Sequence, residues 1–339
     1  MTLATPRGLA AAALVTLALP GTTQAADQVS WDLALFGSPA FRVAGEALAE
    51  YVNENSDGSF QITVHEGTLS PAREVLDNLS IGAFQLGYVV SSYHPGKNPL
   101  ISVLDLPFLP IGTMEQRVEI AEALYDHPAI AEEFARWSTT PVMAVVQPNY
   151  EIMGKGTAPD SAEAFDGMRL KATSGIGDAL AQFGAVTVSM TGAEQYNGLQ
   201  TGVIDAVAAT PSAHGGWKLY ELSEWYTVGM DAGTANVTLV ANADAFQSLS
   251  DEHKALLQEA EDHAYQATIE AQSEAASTYE PTLAEYKLER IEVPAEMIET
   301  LRTEAAKPVW DAFVSETTGQ GLPGQEILDF VLSKTGGAG

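Results

Sequence analysis

Hydrophobic and polar positions along the first third of the chain predict a β-α-β-α-β series. Short apolar or alternating runs at residues 29–35, 60–66 and 86–90 are typical of strands. Apolar residues at helical spacing occupy residues 41–53 and 71–81, and Ser70 before Pro71 has the pattern of a helix N-cap. Such a series favours a parallel or mixed sheet covered by helices.

A second series of the same kind follows, and a long helix comes after it. Strands are predicted at residues 141–147, 167–172, 186–189, 204–208 and 237–241, with helices at 177–183 and 193–201. The acidic, alanine-rich tract 250–287 predicts a helix capped by Ser250 and long enough to span two lobes. We therefore expect an α/β protein with an interlobe cleft, in which residues 26–148 form the first lobe, residues 149–240 form the second, and residues 241–339 form helices that pack on both. Small ligands bind in such clefts, in binding proteins and in enzymes alike.

Residues 1–25 have the pattern of a cleavable signal peptide. Arg7 precedes an apolar run at 9–19, and Ala25 is a small residue at the expected cleavage site. An uncleaved membrane anchor is the alternative, but the run is shorter than the roughly 20 apolar residues that a spanning helix needs. We therefore expect export to the periplasm.

The charge of the chain is strongly negative. There are 16 Lys and Arg residues against 45 Asp and Glu, a formal net charge of -29. Because the acids are spread along the chain, we interpret them as a solvated surface rather than a cation-binding site. Nucleic acid and anionic membrane surfaces are poor partners for such a chain. With no cysteine, the chain has neither disulfides nor thiolate metal sites, so the core must supply its stability.

Recognisable catalytic patterns are absent from the sequence. Gly175 and Gly177 begin a Gly-x-Gly turn, but Leu180 stands where a dinucleotide-binding fingerprint has its third glycine. The six histidines form no HExxH or HxH pair, and no Gly-x-Ser-x-Gly elbow occurs. We expect no catalytic residue, no metal site and no cofactor.

Four stretches, in order along the chain, carry a family resemblance. Residues 60–69 read FQITVHEGTL, 82–87 read GAFQLG, 104–109 read LDLPFL, and 194–205 read EQYNGLQTGVID. The last is the most specific, and its Gly202 is expected to end a helix in the left-handed conformation. The sequence resembles the DctP-type solute-binding proteins of tripartite ATP-independent periplasmic (TRAP) transporters over essentially the whole mature chain.

The resemblance implies a two-lobe periplasmic binding protein fold and a role in capture rather than catalysis. A small organic anion (a carboxylate, hydroxy acid or sulfonate) would bind in the interlobe cleft of a monomer and be delivered to integral-membrane TRAP permease subunits. A binding protein for a zwitterionic osmolyte, a sensor that docks on a receptor kinase, and an enzyme on the same scaffold are the alternatives.

Two departures from the family pattern concern the ligand. The family clamps a substrate carboxylate with the arginine of a Gly-x-Lys-x-Arg strand, but residues 167–172 read GMRLKA, which puts Lys171 at the arginine position and Arg169 at the lysine position. Thr210 stands in an AATP stretch where the family often has an acidic-Asn-Asn-Pro segment. An ammonium is a point charge, whereas a guanidinium binds a carboxylate bidentately. A dicarboxylate is thus less expected, and a solvent-facing strand charge is the alternative for Lys171.

Further candidate ligand contacts are polar and aromatic residues at the ends of predicted strands or beside them. Their positions favour a pocket with aromatic walls and neutral polar groups. They are Phe36, Ser38, Glu74, Ser91, Ser92, Tyr93, Asn149, Tyr150, Trp217 and Asn236.

Overall fold

The computed structural model describes residues 1–2, 28–94 and 96–335. Beyond position 2, the predicted signal peptide lies outside the described residues. The strands in the described part are β1 (Val29–Leu35), β2 (Phe60–Glu66), β3 (Leu86–Val90), β4 (Thr139–Ala144), β5 (Glu151–Gly154), β6 (Arg169–Lys171), β7 (Val186–Thr187), β8 (Ala206–Ala209), β9 (Trp225–Val228), β10 (Val237–Asn242) and β11 (Glu289–Glu292). The α-helices there are α1 (Pro39–Asn55), α2 (Val75–Ser80), α3 (Met114–Tyr125), α4 (Pro128–Ala135), α5 (Ser174–Ala181), α6 (Gln195–Thr201), α7 (Pro211–Gly216), α8 (Ala243–Gln247), α9 (Asp251–Glu285), α10 (Ala295–Thr300), α11 (Lys307–Gly319) and α12 (Gly324–Lys334).

The first sheet has five strands in the order β2-β1-β3-β10-β4. Strand β1 is parallel to β2 and β3, whereas β10 is antiparallel to β3 and β4. The inward-facing side chains of Leu33, Phe60 and Leu86 are fully buried, which is what strands covered by helices require. The predicted bounds of β1, β2 and β3 are confirmed. We call this sheet and its helices the first lobe.

The second sheet has six strands in the order β11-β9-β5-β8-β6-β7. Strand β6 is parallel to β7 and β8, and β5 is antiparallel to β8 and β9. Gly202 ends α6 with φ 72° in the left-handed conformation, as the motif predicts, and the chain then enters β8. We call this sheet and its helices the second lobe. Two helix-covered sheets constitute the predicted two-lobe α/β architecture.

Strand β10 lies in the first sheet, which corrects its assignment to the second lobe. All six of its residues are buried between β3 and β4. Its sequence fits any interior strand, and pairing with residues about 150 positions away leaves no local pattern. The chain therefore crosses between the lobes at residues 145–150 and again at 229–236. The crossings are joined by backbone hydrogen bonds from Val145 to Val237 (2.9 Å) and from Tyr150 to Gly233 (2.8 Å).

Helix α9 spans both lobes over its 35 residues, as predicted. The Ser250 hydroxyl accepts a hydrogen bond from the His253 backbone N–H and caps the helix. Near this end, His253 Nε2 lies 3.0 Å from the Ser59 hydroxyl of the first lobe. Toward the other end, the Tyr279 hydroxyl lies 2.8 Å from His214 Nδ1 of the second lobe. The helix thus contacts both lobes and ties them together.

Helix α2 is shorter than the predicted 71–81, and Ser70 is not its cap. The helix begins at Val75, with Glu74 at the N-cap position. The Ser70 hydroxyl instead accepts a hydrogen bond from the Asn78 side chain at 2.9 Å. A Ser-Pro pair is typical of turns as well as of helix starts. Here it forms a turn, and the serine oxygen accepts a hydrogen bond from Asn78 instead of capping the helix.

Candidate ligand-binding site

A cavity of about 530 Å³ lies between the two lobes. It is lined by segments that follow strands: residues 36–38 after β1, 92–93 after β3, 171–173 at the end of β6, and 209–213 at the end of β8. Crevices at the carboxyl ends of strands are where α/β proteins bind ligands. The cavity is large enough for a small organic molecule.

Lys171 is the only basic residue in the described lining of this cavity. It lies at the end of β6 and is 8% exposed. Among the described residues, no carboxylate oxygen lies within 4.0 Å of its ammonium group. Burial without a counter-ion lowers the pKa of Lys171 from 10.5 to about 8. Near pH 7 the cavity therefore holds a desolvated positive charge.

A neutral histidine lies behind Lys171. His214 is buried on α7, its Nδ1 facing the Tyr279 hydroxyl and its Nε2 3.2 Å from the Val207 carbonyl oxygen. Burial is the main cause that lowers the pKa of His214 to about 3, and the Lys171 charge acts in the same direction. The ring therefore adds no second charge near pH 7.

Aromatic rings form much of the apolar wall. The Phe36 ring stacks near the Tyr93 ring, with centroids 6.4 Å apart and an interplanar angle of 30°. Phe41 packs beside Phe36 at 6.0 Å, and Trp217 lines the cavity from the second lobe. Flat apolar faces of this kind suit the ring or aliphatic body of a small molecule.

Three buried polar side chains of the lining have atoms without a hydrogen-bond partner among the described residues. These atoms are Gln147 Nε2, Thr173 Oγ1 and Gln195 Oε1. A buried polar atom without a partner costs about 1–3 kcal/mol. We call Gln147, Thr173 and Gln195 the unpartnered polar set.

The lobes touch at the mouth of the cavity. Arg73 of the first lobe donates a hydrogen bond to the Ser189 hydroxyl of the second lobe at 3.1 Å, and its guanidinium lies 5.0 Å from the centre of the Tyr93 ring. A Cβ on Gly216 of α7 would lie 2.8 Å from the Ser38 Cβ, so the lobes approach closely there as well. These contacts describe a closed cleft.

Eight of the sequence-predicted site residues line the cavity. They are Phe36, Ser38, Ser92, Tyr93, Tyr150, Lys171, Thr210 and Trp217. Thr210 also caps α7 by accepting a hydrogen bond from the Ala213 backbone N–H, which positions that helix at the cavity. Their ligand contacts remain a prediction.

The other five predicted residues lie outside the cavity lining. Arg169 is exposed at the start of β6 and donates to Asp205 through Nε at 2.9 Å. This ion pair lowers the pKa of the Asp205 carboxyl. Glu74 is exposed at the start of α2. Arg169 and Lys171 share a face of β6, but residues two apart lie roughly 6–7 Å apart along a strand. Lys171 at the end of β6 therefore lines the cavity, whereas Arg169 at its start does not.

Asn149, Ser91 and Asn236 belong to the crossing region. The Asn149 amide donates to Asp231 and accepts from Arg117. The Asn236 side chain donates to the Ser91 hydroxyl at 2.6 Å. The Asn236 backbone N–H donates to the carboxyl group of Asp105 at 2.7 Å, and burial raises the pKa of Asp105 to about 7. These side chains form hydrogen bonds within the protein that hold the crossing segments together.

Sequence reasoning missed several lining residues, including Phe41, Asp178 and the unpartnered polar set. Thr173 lies two residues after the end of β6, so the strand-end rule that selected Phe36 and Tyr93 also applies to it. Gln195 lies inside the motif at 194–205, from which only the helix end at Gly202 is predicted. No pattern in the sequence marks Gln147 or Asp178 as facing the cavity.

Residues 36–317 match the family described as "Bacterial extracellular solute-binding protein, family 7", DctP. The chain belongs to this family. The motif-based prediction of a DctP-type solute-binding protein of TRAP transporters is confirmed. The DctP family is one of solute-binding receptors rather than of enzymes.

Similar proteins cover most of this DctP-family chain. The ectoine-binding periplasmic protein TeaA of Halomonas elongata is 26% identical over 301 residues, 85% of this chain and 84% of TeaA. The ectoine/5-hydroxyectoine-binding periplasmic protein UehA of Ruegeria pomeroyi is 26% identical over 323 residues, 93% of each chain. The crystal structure of a TRAP solute-binding protein from Rhodoferax ferrireducens T118 with copurified benzoate has a TM-score of 0.81 at 18% identity, covering 91% of this chain and 98% of that one. This likeness confirms the fold class.

Within the part of the chain that the structure describes, no helix is long and apolar enough to cross a membrane. The same residues contain no cluster of three or more His, Asp or Glu side chains that could hold a metal ion.

Proposed function

We propose that this DctP-family protein captures a small organic anion between its lobes and delivers it to the membrane subunits of a TRAP transporter. The observation that carries the proposal is the Lys171 ammonium, which is buried in the cavity wall without a counter-ion among the described residues. An isolated buried charge is unfavourable, and an anionic ligand group would supply the missing partner.

The rest of the cavity supports a compact organic ligand. Aromatic faces of Phe36, Tyr93 and Trp217 would contact its apolar body, and contacts with both lobes would favour the closed state. A ligand shifts such an equilibrium only through its differential affinity for the closed form. Lys171 comes from the second lobe and Phe36 from the first, so a molecule that touches both supplies that difference.

A zwitterionic osmolyte is the second candidate. TeaA and UehA are named for binding ectoine, and Asp178 adds one carboxylate to the cavity lining. The cationic end of a zwitterion would rest near Asp178 or against an aromatic face, while its anionic end would still contact Lys171. Both candidates thus share one anchor and differ in whether the ligand carries a positive charge.

The remaining parts of the proposal concern location, assembly and chemistry. We propose that residues 1–25 direct export and are cleaved, that the mature protein acts in the periplasm as a monomer, and that it leaves its ligand chemically unchanged. Docking on a receptor kinase instead of a permease would use the same cavity, and transport assays with reconstituted permease subunits distinguish the two roles.

Native mass spectrometry of the freshly purified protein, followed by calorimetry, tests the ligand class. We expect one small organic acid per chain. Lys171→Met should weaken its binding at least tenfold, about 1.4 kcal/mol, whereas Lys307→Met, which removes an exposed lysine of α11, should not. A bound molecule without an anionic group, or an unchanged affinity of Lys171→Met, would contradict the proposal.

A further inference from the structure

We infer that Gly216 of α7 is a positioning residue for ligand capture, because its lack of a side chain lets the two lobes meet beside the cavity. An alanine at this position would hold the lobes apart and keep the cleft open. Closure of the lobes around a ligand is part of the proposed function, on which this inference rests.

Gly216 of the second lobe lies against the start of α1 in the first lobe. A Cβ on Gly216 would lie 2.8 Å from the Ser38 Cβ and 3.4 Å from the Pro39 Cδ. Carbon atoms that pack without a bond between them lie about 3.5–4.0 Å apart. The Ser38 Cβ and the proline ring are fixed by the backbone, so a change of rotamer cannot relieve the overlap. With alanine at position 216, α1 and α7 would have to separate by at least about 0.7 Å.

This contact lies beside the cavity. Ser38 lines the cavity from the first lobe, and Ala213 and Trp217 of the second lobe line it on either side of Gly216 in the sequence. A rotation of the lobes that opens the cleft separates surfaces that flank it. The overlap therefore acts against the closed state and is relieved in the open one.

Helix α7 contains its own control, Gly215. No atom of another described segment lies within 4 Å of a Cβ placed on Gly215. Both glycines lie in α7 and neither has a left-handed φ, so alanine at either position raises the helix propensity by the same amount. Gly215→Ala and Gly216→Ala thus differ in the contact with the first lobe.

A second glycine between the lobes, Gly175 of α5, gives a contrast. A Cβ on Gly175 would lie 2.0 Å from the carbonyl oxygen of Asp105, in the motif at 104–109. The Asp105 carboxyl group accepts a hydrogen bond from the Asn236 backbone N–H, which belongs to the crossing at 229–236. Surfaces next to the crossings move little when the lobes rotate, so alanine at Gly175 should strain the open and the closed state alike.

Single-molecule FRET on the full-length mature protein measures closure. The chain has no cysteine, so dyes attach at two introduced cysteines, Glu50→Cys in the first lobe and Glu163→Cys in the second, both at exposed positions. The probe is the acid extracted from the native protein, identified by mass spectrometry and returned to the stripped protein. At the concentration that closes half of the wild-type molecules, about half of the Gly215→Ala molecules but fewer than a tenth of the Gly216→Ala molecules should be closed. Calorimetry should show at least a tenfold loss of affinity for Gly216→Ala, about 1.4 kcal/mol, and overpacking a tight contact costs free energy of this order.

Removal of the opposing Cβ should rescue the variant. In a Ser38→Gly background, Gly216→Ala should change the affinity by less than about twofold, whereas in a Ser38→Ala background, which keeps the Cβ, the tenfold loss should persist. Comparison within each background separates the contact between the two residues from any effect of position 38 on the ligand itself. Equal losses in the two backgrounds would overturn the inference.

The melting temperature of the unliganded protein separates closure from a structural role. Gly216→Ala should melt at or above the wild-type temperature, as Gly215→Ala should, whereas Gly175→Ala should melt below it. A lower melting temperature for Gly216→Ala would show that the contact also exists in the open state and overturn the inference. If Gly216→Ala closes and binds as Gly215→Ala does, the inference fails and the proposed function stands. If no acid copurifies or closes the wild-type protein, the proposed function fails, and the inference with it.

Discussion

Replacement of Lys171 by methionine should stabilise the unliganded protein while it weakens ligand binding. Burial lowers the lysine pKa from 10.5 to about 8, a difference worth about 3 kcal/mol at about 1.36 kcal/mol per pKa unit. Because the folded pKa lies below the unfolded one, this penalty is complete below about pH 8 and disappears as the pH approaches 10.5. Methionine fills a similar volume without the charge, so Lys171→Met should gain about 3 kcal/mol near pH 7.

Urea unfolding of ligand-stripped protein at pH 7 and pH 9 measures this gain. Over that interval the advantage of Lys171→Met should fall by about 1 kcal/mol, because unfolded Lys171 remains protonated while the folded form loses its proton. Lys307→Met controls for the general loss of a lysine in an acidic protein. Destabilisation by Lys171→Met at pH 7, or an advantage that does not shrink at pH 9, would refute the assignment of Lys171 as a buried, unpaired cation.

Three further predictions concern the pH dependence of affinity, the contact that closes the cleft, and Arg169, which lies outside the cavity lining. Affinity for the bound acid should fall about tenfold from pH 7 to pH 9 in calorimetry, since Lys171 loses its proton above about pH 8; a constant affinity would contradict this. Arg73→Gln removes the hydrogen bond to Ser189 across the mouth and should speed ligand release about three- to tenfold in stopped-flow fluorescence, whereas Arg136→Gln, directly after α4, should not. Arg169→Gln should lower the melting temperature without changing affinity, and a tenfold loss of affinity would place Arg169 at the ligand.

Local patterning predicts much of the first lobe but not its assembly. Strands β1, β2 and β3 carry apolar patterns bounded by turn residues, so their bounds follow from the sequence. Strands β5 and β9 have only four residues each, too few for a periodicity to stand out. The sheet that contains β10 is fixed by pairing with β3 and β4, and such long-range pairing has no local signature.

The site shows the same division between local and long-range information. Phe36 and Tyr93 are found by the rule that ligands bind where strands end, and Thr210 by comparison with the family motif. The rule cannot tell which strand-end residues face the cavity, and Asn236 instead bonds to Ser91 behind it. Whether Gln195 lines the cavity depends on how α6 packs relative to the first lobe, and this packing is defined only in the folded chain.

A crystal structure of the protein with the acid that copurifies with it would show directly where the ligand binds and which of its groups meets Lys171. We expect an anionic oxygen of the ligand within hydrogen-bond distance of Lys171 Nζ, with the ligand body in contact with Phe36 of the first lobe. A ligand that lies outside this cavity, or one that presents a neutral or cationic group to Lys171, would contradict it.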